Sequence, residues 1–331
     1  MHQLLLTFDV EDFVNSNEIW SLNTFLELLK KYEIKAIFFV TGHMSEILVN
    51  FPKTLELLKN HEIGFHSSGH SVRPIIAEYT DLQSYQQAFL NSLKRETAHI
   101  DPLTGETKGE GGIYSLQDIF GKKRVRAYRS PGMSWTPPHL EALVELGIEY
   151  DFSSNVSTSE PVHYRRIIFY PYARTQQWRG ALSDYRLLLA AVLKQTVAVL
   201  DLHPTWFVNL TMWDSIYYAG NPPILSRVPE RPRRDAEALF AKFELLLKQI
   251  NVLRRSGLLV ADSDLTKSSR KLSATFSQVQ NCYRTSMRWP IKFFNYRPRF
   301  IRAHFNEFFE NAMRPTDMQQ CNVRNSEQLR R

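Results

Sequence analysis

Short apolar runs alternate with amphipathic stretches along most of this chain, and that alternation restricts the fold more than any other feature. Leu4-Leu5-Leu6-Thr7-Phe8 has strand length and stops at acids, as a buried parallel strand does. Ala36-Ile37-Phe38-Phe39-Val40 is a second such run, closed by Thr41-Gly42, and Ile63-Gly64-Phe65 is a third. Further strands are predicted at 124–128, 148–151, 196–200 and 257–260. Helical apolar spacing recurs at 22–32, 45–60, 81–98, 137–146 and 235–254, and a glycine-rich loop is expected over 104–112. Strands alternating with helices at this spacing make βα units, hence an α/β fold around a parallel sheet, open or closed into a barrel.

Charge divides the chain. From residue 265 to the end there are 13 Lys+Arg against 4 Asp+Glu, whereas the preceding residues carry 28 against 30. The formal charge of +7 therefore belongs to the last fifth. The reading is a catalytic domain over 1–265 and a basic, aromatic extension over 266–331. The extension contains Trp289, Phe293, Phe294, Tyr296 and Phe300, and residues 301–313 have helical spacing that puts Phe305, Phe308 and Phe309 on one side. Two readings stay open: these rings pack on the main domain, or on a second subunit, or they and the cations rest on an anionic membrane. Nucleic acid is not an expected partner, because no DNA- or RNA-binding motif accompanies the charge. The N-terminus turns acidic at Asp9 before a signal-peptide core forms, and Cys282 and Cys321 cannot make a disulfide framework. Both point to a cytoplasmic protein, peripheral at the inner membrane face under the membrane reading.

In parallel α/β folds the chemistry sits where strands end. The predicted strands here end in Asp9-Val10-Glu11-Asp12, His66 with His70, Arg129-Ser130-Pro131-Gly132, Asp151, and Asp201 with His203. Each is weak alone, since paired acids often cap helices and Arg-x-Pro is a common loop fragment. Their shared position is the stronger signal. Two imidazoles and a carboxylate can hold a divalent metal with positions left for water, a second carboxylate can accept that water's proton, and a separate histidine can protonate a leaving group. Together they suit hydrolysis of an amide or ester.

Thr7-Phe8-Asp9-Val10-Glu11-Asp12, His66-Ser67-Ser68-Gly69-His70, Arg129-Ser130-Pro131-Gly132 and Leu200-Asp201-Leu202-His203-Pro204 resemble, in order and spacing, the motifs of the polysaccharide deacetylases, the NodB-like carbohydrate esterases of family four. The resemblance spans roughly residues 3–265. It implies a distorted (β/α)7 barrel that removes N- or O-acetyl groups from sugars with a divalent metal, zinc first and cobalt, nickel or manganese as alternatives. It implies Asp9 as catalytic base, His66 and His70 as metal ligands, Arg129 as the partner of the base, and His203 as general acid oriented by Asp151. Pro131 and Gly132 would bring a backbone N–H to the oxyanion, and Leu202 would line the acetyl pocket. The third ligand is Glu11 or Asp12. Strand alternation puts Asp9 and Glu11 on one face and turns Asp12 away if the strand continues. Residues 155–183 look like an insertion shaping the cleft, with Tyr164, Arg165, Arg166, Tyr170, Tyr172 and Trp178 as sugar contacts or as core and surface. The expected substrate is a nucleotide-linked or lipid-linked acetylated sugar of surface polysaccharide assembly. Hydrolysis of a formamide or cyclic amide, and a metal-free sugar-binding barrel, are the alternatives.

Overall fold

The structure is a computed structural model that describes residues 2–154, 161–170, 176–177, 197–217, 225–261, 263–265, 270–271 and 275–310. In chain order its strands are β1 (His2–Val10), β2 (Ile37–Val40), β3 (Glu62–Phe65), β4 (Ala98–Ile100), β5 (Thr107–Glu110), β6 (Val125–Tyr128), β7 (Tyr150–Asp151), β8 (Val162–Tyr164), β9 (Ile167–Phe169), β10 (Gln176–Gln177), β11 (Val197–Leu202), β12 (Leu259–Ala261) and β13 (Arg270–Lys271). Eleven of them form one curled sheet in the order β10-β11-β1-β2-β3-β6-β7-β9-β8-β13, with β12 also pairing β1. The pairs are parallel except β8 with β9. This is the expected α/β architecture, with the mostly parallel sheet curled into a half-barrel.

Alternation along the strands sorts the side chains. Leu4, Leu6, Phe8 and Val10 of β1 join Ala198, Leu200 and Leu202 of β11 in the core shared with the helices. Leu5, Val197, Val199, Ile37 and Phe39 form a separate cluster on the other face. On that second face β1 continues to Thr7 and Asp9, so apolar packing gives way to polar groups toward the C-terminal strand ends. A buried apolar floor with polar groups above it is what positions the site.

Two local expectations were refined. The segment predicted as one helix over 45–60 is two, Gly42–Leu48 and Pro52–Leu58. Pro52 starts the second helix, and Phe51 before it is held out of the helical region at φ −124° and ψ 69°. The glycine-rich loop expected over 104–112 contains β5, which pairs antiparallel with β4 before the loop, and has Gly105, Gly109 and Gly112 at positive φ.

The C-terminal extension packs on the main domain. Among the described residues it consists of β13, which pairs with β8, and of the Phe276–Phe294 and Ile301–Glu310 helices. Trp289, Phe294, Phe305, Phe308 and Phe309 are buried in the main core. Trp135 of the barrel meets Phe305 at 4.9 Å, and Tyr164 meets Phe308 at 5.1 Å. Each such ring contributes about 1.5–3 kcal/mol by leaving water. Asp81 fixes the connection, accepting from the Tyr296 hydroxyl at 2.6 Å and from the Arg299 and Phe300 amides at 2.8 and 2.7 Å. The apolar stripe that the membrane reading needed is thus turned inward, and no helix among the described residues is long and apolar enough to cross a membrane. Of the aromatic residues expected in the insertion, Tyr164 and Tyr170 are core, the latter stacked on Phe152 at 4.4 Å. Tyr172 and Trp178 lie outside the described residues.

Candidate active site

The strand ends meet at a cleft of about 1030 Å³. Asp9 and Glu11 come from β1 and just beyond it, His66 and His70 from the loop after β3, Arg129 from the end of β6, and Asp201 and His203 from the end of β11. Glu11 Oε2 lies 3.1 Å from His66 Nε2 and 3.0 Å from His70 Nε2, and all three residues are buried. The other ring nitrogens are occupied: His66 Nδ1 is 2.7 Å from the Arg129 carbonyl, and His70 Nδ1 is 2.8 Å from Ser71 Oγ. A carbonyl can only accept, so His66 donates to it from Nδ1, which fixes the ring with Nε2 facing Glu11.

Beside this trio, Arg129 is fully buried and donates to Asp9 Oδ1 at 2.8 Å, to Asp201 Oδ1 at 2.7 Å and to Thr7 Oγ1 at 2.8 Å. Its guanidinium also covers the Phe39 ring at 4.5 Å. The other Asp9 oxygen is free of Arg129 and faces the histidines, 3.8 Å from His66 Nε2 and 3.5 Å from His203 Nε2. One carboxylate is thus clamped on one side and aimed into the cleft on the other.

The donor set fits a divalent metal. Glu11, His66 and His70 each present one ligand atom, all within 4.8 Å of one another. Asp9, Asp201 and His203 form a second such group, but Arg129 already bonds both of its carboxylates. Three buried carboxylates against one guanidinium also leave negative charge for a cation to offset. His70 itself is held at φ 43° and Ser67 at φ 67°, a left-handed conformation that non-glycine residues adopt rarely and that clusters at functional sites.

Electrostatics follow the geometry. Burial opposes ionisation of Glu11, but His70 and His66 outweigh it and hold its carboxyl well below the usual range. Burial likewise disfavours a charged His203, yet Asp201, Glu11 and Asp9 together raise its pKa. Burial raises Asp201 despite Arg129. Asp214, also lining the cleft, is pushed up to about 6 by burial.

Four sequence expectations change. Asp12 does not reach the trio: it accepts from the Asn15 side chain at 2.9 Å and from Thr205 Oγ1 at 2.8 Å, and so ties the end of β1 to the short Thr205–Val208 helix after β11. Past the end of β1 the alternation turns it away from Glu11, as the pleat requires. Asp151 does not orient His203. It is turned onto its own following loop, where the Ser153 and Ser154 hydroxyls and the Ser154 amide donate to it, the amide at 2.8 Å. Asp201 has the place near His203 expected of Asp151. Leu202 is buried against the helices, because β11 alternation sends its neighbours Asp201 and His203 to the cleft instead. Pro131 is buried behind the turn, while Gly132 lines the cleft.

Gly132 has φ 54°, and a Cβ there would lie 2.2 Å from the Trp289 ring, so both its backbone and its neighbour require glycine. Trp289 comes from the C-terminal extension and also meets the His70 ring at 5.9 Å. The extension therefore completes the site, which its composition alone did not reveal. Glu96 was also missed. Its buried carboxylate accepts from Ser67 Oγ at 2.9 Å, the Ser68 amide at 2.7 Å and Tyr79 at 2.9 Å, and so braces the His66–His70 loop from below. An acid in the last turn of a helix opposes the helix dipole, and that misplacement was the available signal.

Carboxylates, histidines and a clamped arginine at the C-terminal ends of a curled, mostly parallel sheet make a site equipped for hydrolysis. Residues 2–150 match the family described as polysaccharide deacetylase. Members of this family are hydrolases acting on carbon–nitrogen bonds other than peptide bonds. Among solved structures, a protein assigned as a polysaccharide deacetylase from Mycobacterium smegmatis is similar at 16% identity over 80% of this chain and 94% of its own, with a TM-score of 0.45. The catalytic domain of a peptidoglycan N-acetylglucosamine deacetylase from Eubacterium rectale aligns at 15% identity over 82% and 93%, with a TM-score of 0.40. A carbohydrate esterase family 4 pseudoenzyme from Bacillus anthracis aligns at 15% over 82% and 67%, with a TM-score of 0.39. No curated protein matches the sequence.

Proposed function

We propose that the protein is a metal-dependent hydrolase that removes an acetyl group from an amino sugar, and that its substrate is a nucleotide-linked or lipid-linked intermediate of surface polysaccharide assembly. The observation that carries the chemistry is the convergence of Glu11, His66 and His70 beside an Asp9 whose far oxygen is clamped by Arg129. A divalent metal held by Glu11, His66 and His70, with zinc the first choice for a two-histidine, one-carboxylate set, supplies Lewis acidity toward the amide carbonyl and lowers the pKa of water. Asp9 Oδ2 takes the proton of the attacking water, while Arg129 orients the carboxylate through Oδ1. The water oxygen bonds to the acetyl carbon, and the carbon–nitrogen bond then breaks. His203, its pKa raised by the carboxylates around it, gives a proton to the departing amine. A backbone N–H at Gly132, which lines the cleft, serves the oxyanion. The products are acetate and the free amino sugar.

The test is release of acetate and of a primary amine from N-acetylated sugars, followed by mass spectrometry. Formate release from a formamide would favour the alternative substrate. No turnover of any amide, with sugar binding intact, would favour a binding protein.

A further inference from the structure

One wall of the cleft is the Phe276–Phe294 helix, which lines it with Arg284, Arg288, Trp289 and Lys292. Those three cations are the only charged residues of the helix. Each is four residues from the next, so they form one stripe, with successive members about 6 Å apart along the axis. All three are exposed to the cleft side and, among the described residues, none forms an ion pair with a carboxylate. Like charges at this spacing repel, so the stripe costs the helix stability rather than adding to it. The helix dipole accounts only for Lys292 in the last turn; Arg284 and Arg288 lie too far from the helix end to benefit. Nor does the floor neutralise them: Asp9 and Asp201 are held by Arg129, and Glu11 lies between His66 and His70.

We propose that this stripe is a phosphate subsite, so that the preferred substrate is an amino sugar bearing a phosphate or diphosphate ester. Each neighbouring pair of cations can bracket one phosphoryl group, and the two arginines offer paired donors to its oxygens. Trp289 anchors the helix against Gly132 beside the reacting centre, so the anion and the acetamido group are read by parts of one cleft. A nucleoside diphosphate and a polyprenyl diphosphate both present this chemistry. The proposal rests on the deacetylase reading for its substrate but not for its binding site.

The experiment uses the full chain and an Arg284→Gln/Arg288→Gln/Lys292→Gln variant. Acetate release is measured on N-acetylglucosamine, on the same sugar linked to uridine diphosphate, and on it linked to polyprenyl diphosphate in detergent micelles; binding of inorganic pyrophosphate is measured by calorimetry. Wild type is expected to show the lower KM on one or both phosphorylated sugars, the arm with the lower value naming the carrier, and pyrophosphate is expected to compete. The variant should raise that KM at least about tenfold, with kcat and turnover of the neutral sugar unchanged, and should weaken pyrophosphate binding similarly. Arg284→Lys/Arg288→Lys should keep part of the affinity through charge while losing the paired donors, so it should fall between wild type and the neutralised variant, which should melt no lower than wild type. Equal pyrophosphate binding by wild type and variant, or an unchanged KM for both phosphorylated sugars, would overturn the proposal. If no sugar releases acetate, the deacetylase reading fails, and the pyrophosphate titration alone decides the subsite.

Discussion

The floor and the wall of the cleft are built on opposite terms. The floor is buried and closed on itself: Arg129 is bonded on three sides, His66 and His70 are each fixed through the second ring nitrogen, and Glu96 braces the loop beneath them. The wall is a helix whose three cations are exposed and, among the described residues, make no ion pairs, and whose buried anchor at the site, Trp289, fits against Gly132. Fixed groups suit bond-making, because misplacement of a reacting atom is costly. Unpaired groups suit recognition, because their hydrogen-bonding capacity is still available. Chemistry in the floor and selection in the wall is therefore the division to break.

The largest effects should come from the floor. Asp9→Asn should keep the metal and lose about 10²–10⁴-fold in kcat, the usual contribution of a general base. Steady-state kinetics paired with metal analysis would check it. His203→Gln should lose nearly as much on an amide but far less on an activated ester, whose leaving group needs no proton. Equal losses on both substrates would remove its role as the acid.

A middle effect is expected from Asp201→Asn. Burial disfavours protonated His203, and the carboxylates reverse that, so its pKa lies above the ordinary imidazole value of about 6.5. A general acid works while protonated, so kcat/KM should fall on the alkaline side as pH rises through this raised pKa. Removing the Asp201 charge should move that limb to lower pH. An unmoved limb would assign it to another group.

Trp289→Ala joins the two regions. It should cost about 3–5 kcal/mol of stability, as large-to-small changes at buried aromatic sites do, and should raise KM more than it lowers kcat. The smallest effect belongs to Asp12→Asn, which should leave metal content unchanged. It should cost about 1–3 kcal/mol by weakening the buried contacts to Asn15 and Thr205. Thermal melts and metal analysis would separate the two variants.

The floor was largely legible in the sequence, and the wall was not. Strand alternation placed Asp9 and Glu11 on one face, and strand ends gathered the histidines, Arg129 and His203, because a parallel sheet imposes those positions locally. Asp151 and Leu202 went astray for a related reason. Both sit at or near a strand end, but their facing depends on a loop turning back or on one residue of register. Trp289 and the three cations were visible only as composition. Their place beside Gly132 depends on a contact across more than 150 residues, which no local pattern encodes. The same rings that read as a membrane stripe read equally well as a packing surface, and the barrel had an apolar face to receive them.

The most direct test of the account is metal content measured together with acetate release. Purified wild-type protein should hold about one divalent ion per chain, lose acetate release on chelation and regain it when the ion is restored; His66→Ala and His70→Ala should lose both metal and activity. Full metal occupancy in both histidine variants, or undiminished acetate release after exhaustive chelation, would contradict it.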